Sequence, residues 1–461
     1  MWAEAAPGGR ITPVLPATQD AVRRLCEWGA ADWCKEGFGL TPPWTEATLA
    51  LFAPLLDLVQ IKVIDTTLPH APVEMVAVLA ELDQAHALPA EIETLELVAG
   101  GQGDTKAEAL LSAFGELAER LSLWTSGEND PRVFRTGACP ELELGPVLGF
   151  SVRQELELAQ TYRGLSTVSS SGGIDWNRLC DRRVQVREVG SGRASAVPAF
   201  GVLMGEGRGL GLGGLGLVST SGTAVYDSHE EALRRAVEEV VERDVVSQAW
   251  YNRLGITVLE SMFWQEFIHR NPCDYLQNRP RRTDFLILDT DLATHVVLAV
   301  SREPDGLGAC VGSAAGRSVG EAMASALGEL LQSERSRSLA VRSAQSLDFP
   351  QWPADVRYGA TVDLDKDLGI SAFPEADLRE LAKTHATDDL IDSCLEKGLG
   401  LYAFNATRAD IGIPCVKVLS GDLCSWQPRF GKARLFEGVV RRGHADEPLP
   451  ESILSARPFP F

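Results

Sequence analysis

Glu116 and Glu119, then Glu239 and Glu242, repeat one spacing in two distant stretches, and a third stretch repeats it with Glu329 and Gln332. Each stretch opens on a hydroxyl residue: Thr105, Ser228 and Ser318. Counted from it, position seven is Ser112, Arg235 or Ser325, position eleven is always glutamate, and position fourteen is glutamate twice and glutamine once. At about 100° per residue these three positions share one face of a helix. A solvated face accounts for any one such helix, since amphipathic helices are ordinary. It does not require the same register three times. If the three helices converge, their carboxylates repel one another unless cations lie among them. Hard oxygen donors of this kind suit Mg²⁺, which commonly bridges to substrate phosphates. The expected chemistry is a magnesium-dependent nucleotide site.

The elements that would position these residues repeat as well. Glutamate follows each opening hydroxyl by three residues, as Glu108, Glu231 and Glu321, which is the pattern of a capping box. The opposite helix face is apolar in all three: Leu110, Ala113, Phe114 and Leu117; Leu233, Ala236, Val237 and Val240; Met323, Ala326, Leu327 and Leu330. Small residues precede each cap, at Gly100–Gly103, Ser219–Gly222 and Gly312–Gly316, and are expected to be turns whose N–H groups approach an anion. Strands are expected at 58–65, 73–79, 93–98, 184–189, 196–203, 285–288, 295–301, 401–405 and 415–419, and helical spacing at 21–33. Strands and helices therefore alternate along the chain, with three related loop-plus-helix segments among them. Residues 1–50 read as an accessory segment and 51–461 as the main domain.

Composition narrows the function classes. A net charge of −21 disfavours nucleic-acid partners, because such a surface repels phosphates. Nine scattered cysteines without a C-x-x-C pair fit reduced cytoplasmic thiols better than staples or a zinc site. No apolar run reaches membrane-spanning length, and the opening residues carry no signal-peptide pattern, so a cytoplasmic, membrane-free protein is expected. The seven histidines show no metal-ligand spacing. The glycine run 205–216 opens no helix and is not read as a dinucleotide loop.

The motifs resemble those of the YcaO family. The element Ser-x3-Glu-x2-Glu-Arg is matched by Ser112, Glu116, Glu119 and Arg120. A second, Ser-x2-Glu-x7-Glu-x2-Glu, is matched by Ser228, Glu231, Glu239 and Glu242. A third, looser match runs through Glu329, Gln332 and Arg335, and Thr407–Pro414 is similar to a late segment of the family. The resemblance spans roughly 50–461. It implies an α/β (α+β) fold of the YcaO type, with a triplicated helix-on-sheet core around one ATP site. It implies Mg²⁺ held by Glu116, Glu119, Glu239 and Glu242, with ATP contacted by Gln102, Ser112, Glu116, Arg120, Ser228, Glu231, Gln332 and Arg335. Many members have lysine where this chain has Gln102, and Arg335 or Arg337 is a candidate for that charge.

The resemblance also implies a reaction. A Cys, Ser or Thr side chain of a ribosomally made precursor peptide attacks the preceding carbonyl, the amide oxygen is phosphorylated by ATP, and phosphate leaves as a thiazoline or oxazoline closes. Azoline-forming members often end in a Pro-rich tail whose carboxylate reaches the site, and Pro458, Pro460 and Phe461 match that pattern with one residue to spare. The partners implied are a leader-binding E1-like subunit and an FMN-dependent dehydrogenase that completes the azoles, as in bacteriocin synthetases. Two alternatives stand beside this: a member forming thioamides or macrocyclic amidines, and a regulatory or scaffold subunit with a degenerate ATP site, to which Gln102 and Gln332 would lend support.

Overall fold

Alternating burial along VQIKVID and its neighbour pairs two strands, and glycines in the strand that follows let a helix lie directly on it. These features begin a computed structural model that describes residues 16–34, 37–82, 97–135, 139–162, 165, 173–344 and 354–459. Cα packing divides the chain into two compact units. One comprises Met1–Glu128, Ala224–Ala232 and Asn405–Val416; the other comprises Asn129–Thr223, Leu233–Phe404 and Lys417–Phe461.

The first unit opens with α1 (Pro16–Glu27), the hairpin β1 (Ala31–Cys34) and β2 (Gly37–Leu40), and α2 (Glu46–Leu58). An antiparallel sheet follows, ordered β3 (Val59–Asp65), β4 (Glu74–Leu82), β5 (Val98–Gly103), and then α3 (Lys106–Leu123). The apolar stripe of α3 is wholly buried and shares one core with Val22, Leu25, Trp44 and Phe52. Phe114 is central to it: Trp28 and Trp44 meet its ring edge-on, at centroid distances of 5.7 Å each. The Trp44 indole N–H donates to the Ala107 carbonyl at 3.0 Å, so the buried polar tip is satisfied.

The second unit holds strands β6 (Val133–Arg135), β7 (Arg182–Glu188) and β8 (Ala194–Pro198), with two helices, α4 (Leu144–Leu148) and α5 (Val152–Thr161), between the first two strands. After β9 (Thr223–Val225) comes α6 (His229–Asn252), then a four-stranded antiparallel sheet in chain order: β10 (Ile256–Leu259), β11 (Arg282–Leu288), β12 (His295–Arg302) and β13 (Cys310–Gly316), with α7 (Arg270–Asn278) between β10 and β11. Helix α8 (Val319–Ala344) follows β13 and buries Met323, Ala326, Leu327 and Leu330. The late strands are β14 (Leu401–Asn405) and β15 (Cys415–Ser420). The remaining sheet is ordered β6-β7-β14-β15-β9, with β8 paired to β7.

Three expectations are corrected. Gly100–Gly103 is the end of strand β5, and Gly312–Gly316 belongs to β13, where turns were expected. The reason is steric. A Cβ at Gly101 would sit 2.1 Å from the Ala109 carbonyl oxygen, and one at Gly312 would sit 2.2 Å from the Leu330 nitrogen. Glycine is there for close helix-on-strand approach, not for a turn. Only Ser219–Gly222 turns as expected, with Gly222 at φ +74. The helical pattern of 21–33 breaks at Glu27, after which Ala31–Cys34 pairs with Gly37–Leu40. The strand expected at 93–98 lies outside the described residues up to 96, and β5 begins at Val98.

Candidate nucleotide and magnesium site

Each repeated helix is capped by its hydroxyl residue. Thr105 and Glu108 form a full capping box. Ser228 Oγ accepts from the Glu231 N–H at 3.3 Å and Ser318 Oγ from the Glu321 N–H at 3.2 Å. The Glu321 carboxylate instead accepts from the Arg317 N–H and pairs with its guanidinium at 2.8 Å.

Position eleven has one structural job in all three helices. Glu116 accepts from the Gly100 N–H at 2.8 Å, Glu239 from the Gly222 N–H at 3.0 Å, and Glu329 from the Ser313 N–H at 3.2 Å. Each carboxylate therefore reaches back to the segment that precedes its own helix. A bland solvated face does not predict that.

In the first unit, Glu116 also pairs with Arg120 at 2.5 Å, and both remain about a third exposed. Glu119 accepts from the Val225 N–H at 3.3 Å. Ser112 lines a mostly apolar cavity of about 740 Å³ together with Leu51, Phe52, Gly115, Tyr226 and Asp227. Gln102 points its Oε1 into buried space with no hydrogen-bond partner among the described residues. Ser228 is exposed at the start of α6.

The second unit carries a denser arrangement. Arg243 stands between carboxylates: its Nη1 is 2.5 Å from Glu242 and its Nη2 is 3.2 Å from Glu239. The same Nη1 donates to Ser313 Oγ at 3.2 Å, and that hydroxyl lies 2.5 Å from Glu242. Helix α6 thus meets strand β13 at Ser313, whose own N–H donates to Glu329 on α8. Burial pushes Glu242 up to about 8; the Arg243 charge and the Ser313 hydroxyl oppose the rise, while the Glu329 and Glu239 carboxylates add to it. Burial works against the Arg243 charge too, but Glu242, Glu239 and Glu329 outweigh it and hold the guanidinium above its ordinary value. The Arg243 guanidinium carbon lies over the Trp426 ring, 3.5 Å from its centroid. Gln332 is half-buried one turn beyond Glu329, and the Arg335 Nε is buried with no partner among the described residues. Pro458 is exposed, with its carbonyl accepting from the Trp250 indole N–H at 3.0 Å; Pro460 and Phe461 lie outside the described residues.

Of the four glutamates expected to hold metal, Glu116 and Glu119 lie in the first unit and Glu239 and Glu242 in the second. The structure joins Glu239 and Glu242 through Arg243 and adds Glu329, whose register was noticed but whose role was not. Among the described residues no three His, Cys, Asp or Glu side chains form a ready metal cluster, because Arg243 and Ser313 interleave the carboxylates. The donor set nonetheless fits Mg²⁺. It is all hard oxygen, and Glu242 is driven toward protonation by burial and like charges, a state that a bound dication reverses. Sequence reasoning missed Arg243, Ser313 and Trp426. A signal for Arg243 was present: Glu-x2-Glu-Arg ends both Glu116–Arg120 and Glu239–Arg243. Trp426 and Ser313 carry no such local signal.

A family model described as YcaO cyclodehydratase, ATP- and Mg²⁺-binding, matches residues 100–424. Solved structures share the fold. A heterocyclase in complex with substrate and cofactor is 20% identical with a TM-score of 0.66, covering 87% of this chain and 55% of that one. YcaO from Methanopyrus kandleri bound with AMPPCP and Mg²⁺ is 17% identical with a TM-score of 0.55, covering 94% and 95%. The E. coli microcin synthetase McbBCD complex with pro-MccB17 bound is 15% identical with a TM-score of 0.51, covering 79% and 88%. The chain thus spans about half the length of the first of these. No match was found among curated proteins. With the match covering most of its length, the chain belongs to the YcaO family of ATP- and Mg²⁺-binding proteins.

Proposed function

We propose that this chain is an ATP-dependent peptide cyclodehydratase that converts Cys, Ser or Thr of a ribosomal precursor peptide into thiazoline or oxazoline rings. The observation that carries the reading is the Glu239–Arg243–Glu242–Ser313–Glu329 constellation in a chain of this family. In the reaction, the peptide side chain adds to the preceding carbonyl, the former amide oxygen takes the γ-phosphoryl group of ATP, and phosphate departs with that oxygen as the ring C=N forms. Bound Mg²⁺ supplies charge neutralisation for the transferring phosphoryl group.

The residues divide the work. Glu116, Glu119, Glu239 and Glu242 would hold the metal, with Glu329 beside the last two. Arg243 keeps Glu239 and Glu242 at a fixed separation before metal arrives. Ser313 holds Glu242 in one rotamer. Ser112, Arg120, Gln102, Ser228, Glu231, Gln332 and Arg335 would contact nucleotide. The cavity beside Ser112 has apolar walls of the kind a nucleoside base occupies. A buried, fully engaged Glu242 favours a competent site over a degenerate one. The tail residues Pro458, Pro460 and Phe461 would help place a proton-transfer group. A leader-binding subunit and an FMN-dependent dehydrogenase are the partners this reading requires; a microcin synthetase among the structural relatives is a multi-subunit complex with a pro-peptide bound.

The test is mass spectrometry of a candidate precursor peptide incubated with the chain, its partners, ATP and Mg²⁺. Loss of one water per ring, dependent on ATP and abolished by Glu239→Ala, is the expected result. An ATP-hydrolysing complex that leaves the peptide mass unchanged sinks the cyclodehydratase reading.

A further inference from the structure

Residues Arg457–Phe459 are fixed against the end of α6. Arg457 donates to the Tyr251 carbonyl at 2.8 Å, and Trp250 Nε1 donates to the Pro458 carbonyl at 3.0 Å. Between these anchors and the terminus, Phe459 is buried, only 4% exposed. Its ring meets Trp250 edge-on at 5.0 Å and lies against Trp426 at 5.2 Å, tilted by 37°. The backbone of Trp426 is itself tied down, since Tyr251 Oη donates to its carbonyl at 2.8 Å. The Trp426 ring also receives the Arg243 guanidinium at 3.5 Å. One indole therefore touches both the tail and the cation that holds Glu239 and Glu242.

We propose that Trp426 is a positioning residue that transmits docking of the tail, through Phe459, to Arg243 and thereby to the Glu239–Glu242 pair. The inference rests on the reading of those glutamates as magnesium ligands. The physical reason is orientation. A guanidinium stacked on an indole is held in plane as well as in place, so its two Nη groups stay aimed at two separate carboxylates. With its Nε buried and unpartnered among the described residues, Arg243 has no further hydrogen bond at that atom to fix the plane. Phe459 closes the space beside the indole. Without it the ring gains freedom, and the carboxylate spacing that metal requires is set less tightly.

The experiment is calorimetric titration of the full chain with a non-hydrolysable β,γ-methylene ATP analogue at a series of Mg²⁺ concentrations. Trp426→Ala and Phe459→Ala are each expected to raise the Mg²⁺ concentration at half-saturation about fivefold, the equivalent of one lost cation–π contact. The double variant should shift no further than Trp426→Ala alone, because both act along one path. Trp426→Phe, which keeps an aromatic face, should return most of the affinity, and Phe459→Leu, which keeps the core filled, should give a smaller shift of the same sign. Circular dichroism establishes that each variant is folded at the titration temperature. Folded Trp426→Ala and Phe459→Leu with an unchanged Mg²⁺ midpoint, or additive shifts in the double variant, overturn the proposal: the tail then only completes a core. A wild-type chain that binds no magnesium–nucleotide overturns the site reading itself, and this inference with it.

Discussion

The α3 and α6 copies of Glu-x2-Glu-Arg make one motif behave in two ways. On α3 the Glu116–Arg120 pair lies with 35% and 31% of its side chains exposed. On α6 the corresponding Glu239–Arg243 pair retains 26% and 10%, and Arg243 also pairs with Glu242, whose side chain is only 8% exposed, and gains Ser313 of β13 and the Trp426 ring. Spacing along the helix is the same, but the medium around the charges differs. An exposed ion pair is worth little because water screens it. A buried one is costly to break because the survivor stays charged and unpaired. The buried copy is thus a fixed scaffold for its carboxylates, whereas the exposed copy can rearrange around a ligand at small cost.

The largest contrast follows directly. Arg243→Ala should lower unfolding free energy by roughly 3–5 kcal/mol, whereas Arg120→Ala should cost under about 1 kcal/mol. Urea denaturation of both variants checks this, and equal losses would erase the distinction between the copies. Next come the strand glycines. Gly101→Ala and Gly312→Ala should each cost about 1–3 kcal/mol through overpacking against the helix backbone. Gly209→Ala, with nothing within 4 Å of its added Cβ, should leave the melting temperature unmoved.

Ser313→Ala removes the hydroxyl that fixes Glu242 and should weaken Mg²⁺ binding roughly 10-fold or more, by the usual effect of losing an outer-shell partner. Calorimetry with metal and nucleotide analogue reads this, and the same affinity as wild type would remove Ser313 from the site. The last contrast is in pH dependence, which Glu242 shares with the carboxylates around it. Glu242 is raised in the folded state from 4.5 to about 8, so between those values the folded chain holds more protons than the unfolded one. Metal-free stability should therefore be highest below that window and fall as pH rises through it. Denaturation midpoints at about pH 5 and about pH 8.5 measure the fall, and Glu242→Gln should flatten it.

Much of the architecture was legible from the chain. Strands at 401–405 and 415–419 match β14 and all but the last residue of β15, and the buried stripes of α3 and α8 coincide with the apolar positions read from the repeat. In α6 the stripe is less complete, since Leu233 and Val240 stay half-exposed. The glycine segments were misread because local preference assigns Gly-Gly to turns. Their real requirement, a helix backbone lying within reach of a Cβ, comes from residues eight or more positions away.

What the sequence determined by itself is periodicity: caps, helix faces and the register that puts glutamate at position eleven three times. Those depend on neighbours within a few residues, which the chain specifies directly. Only the tertiary structure decided that this glutamate binds the N–H of its own preceding segment, that Arg243 is buried between two carboxylates, and that Trp426 joins it to Phe459. Those depend on long-range packing, which sets burial and so the strength of every charge. The spacing of the glutamates therefore announced which chemistry to look for, while the packing around Arg243 decided which copy of the motif is rigid.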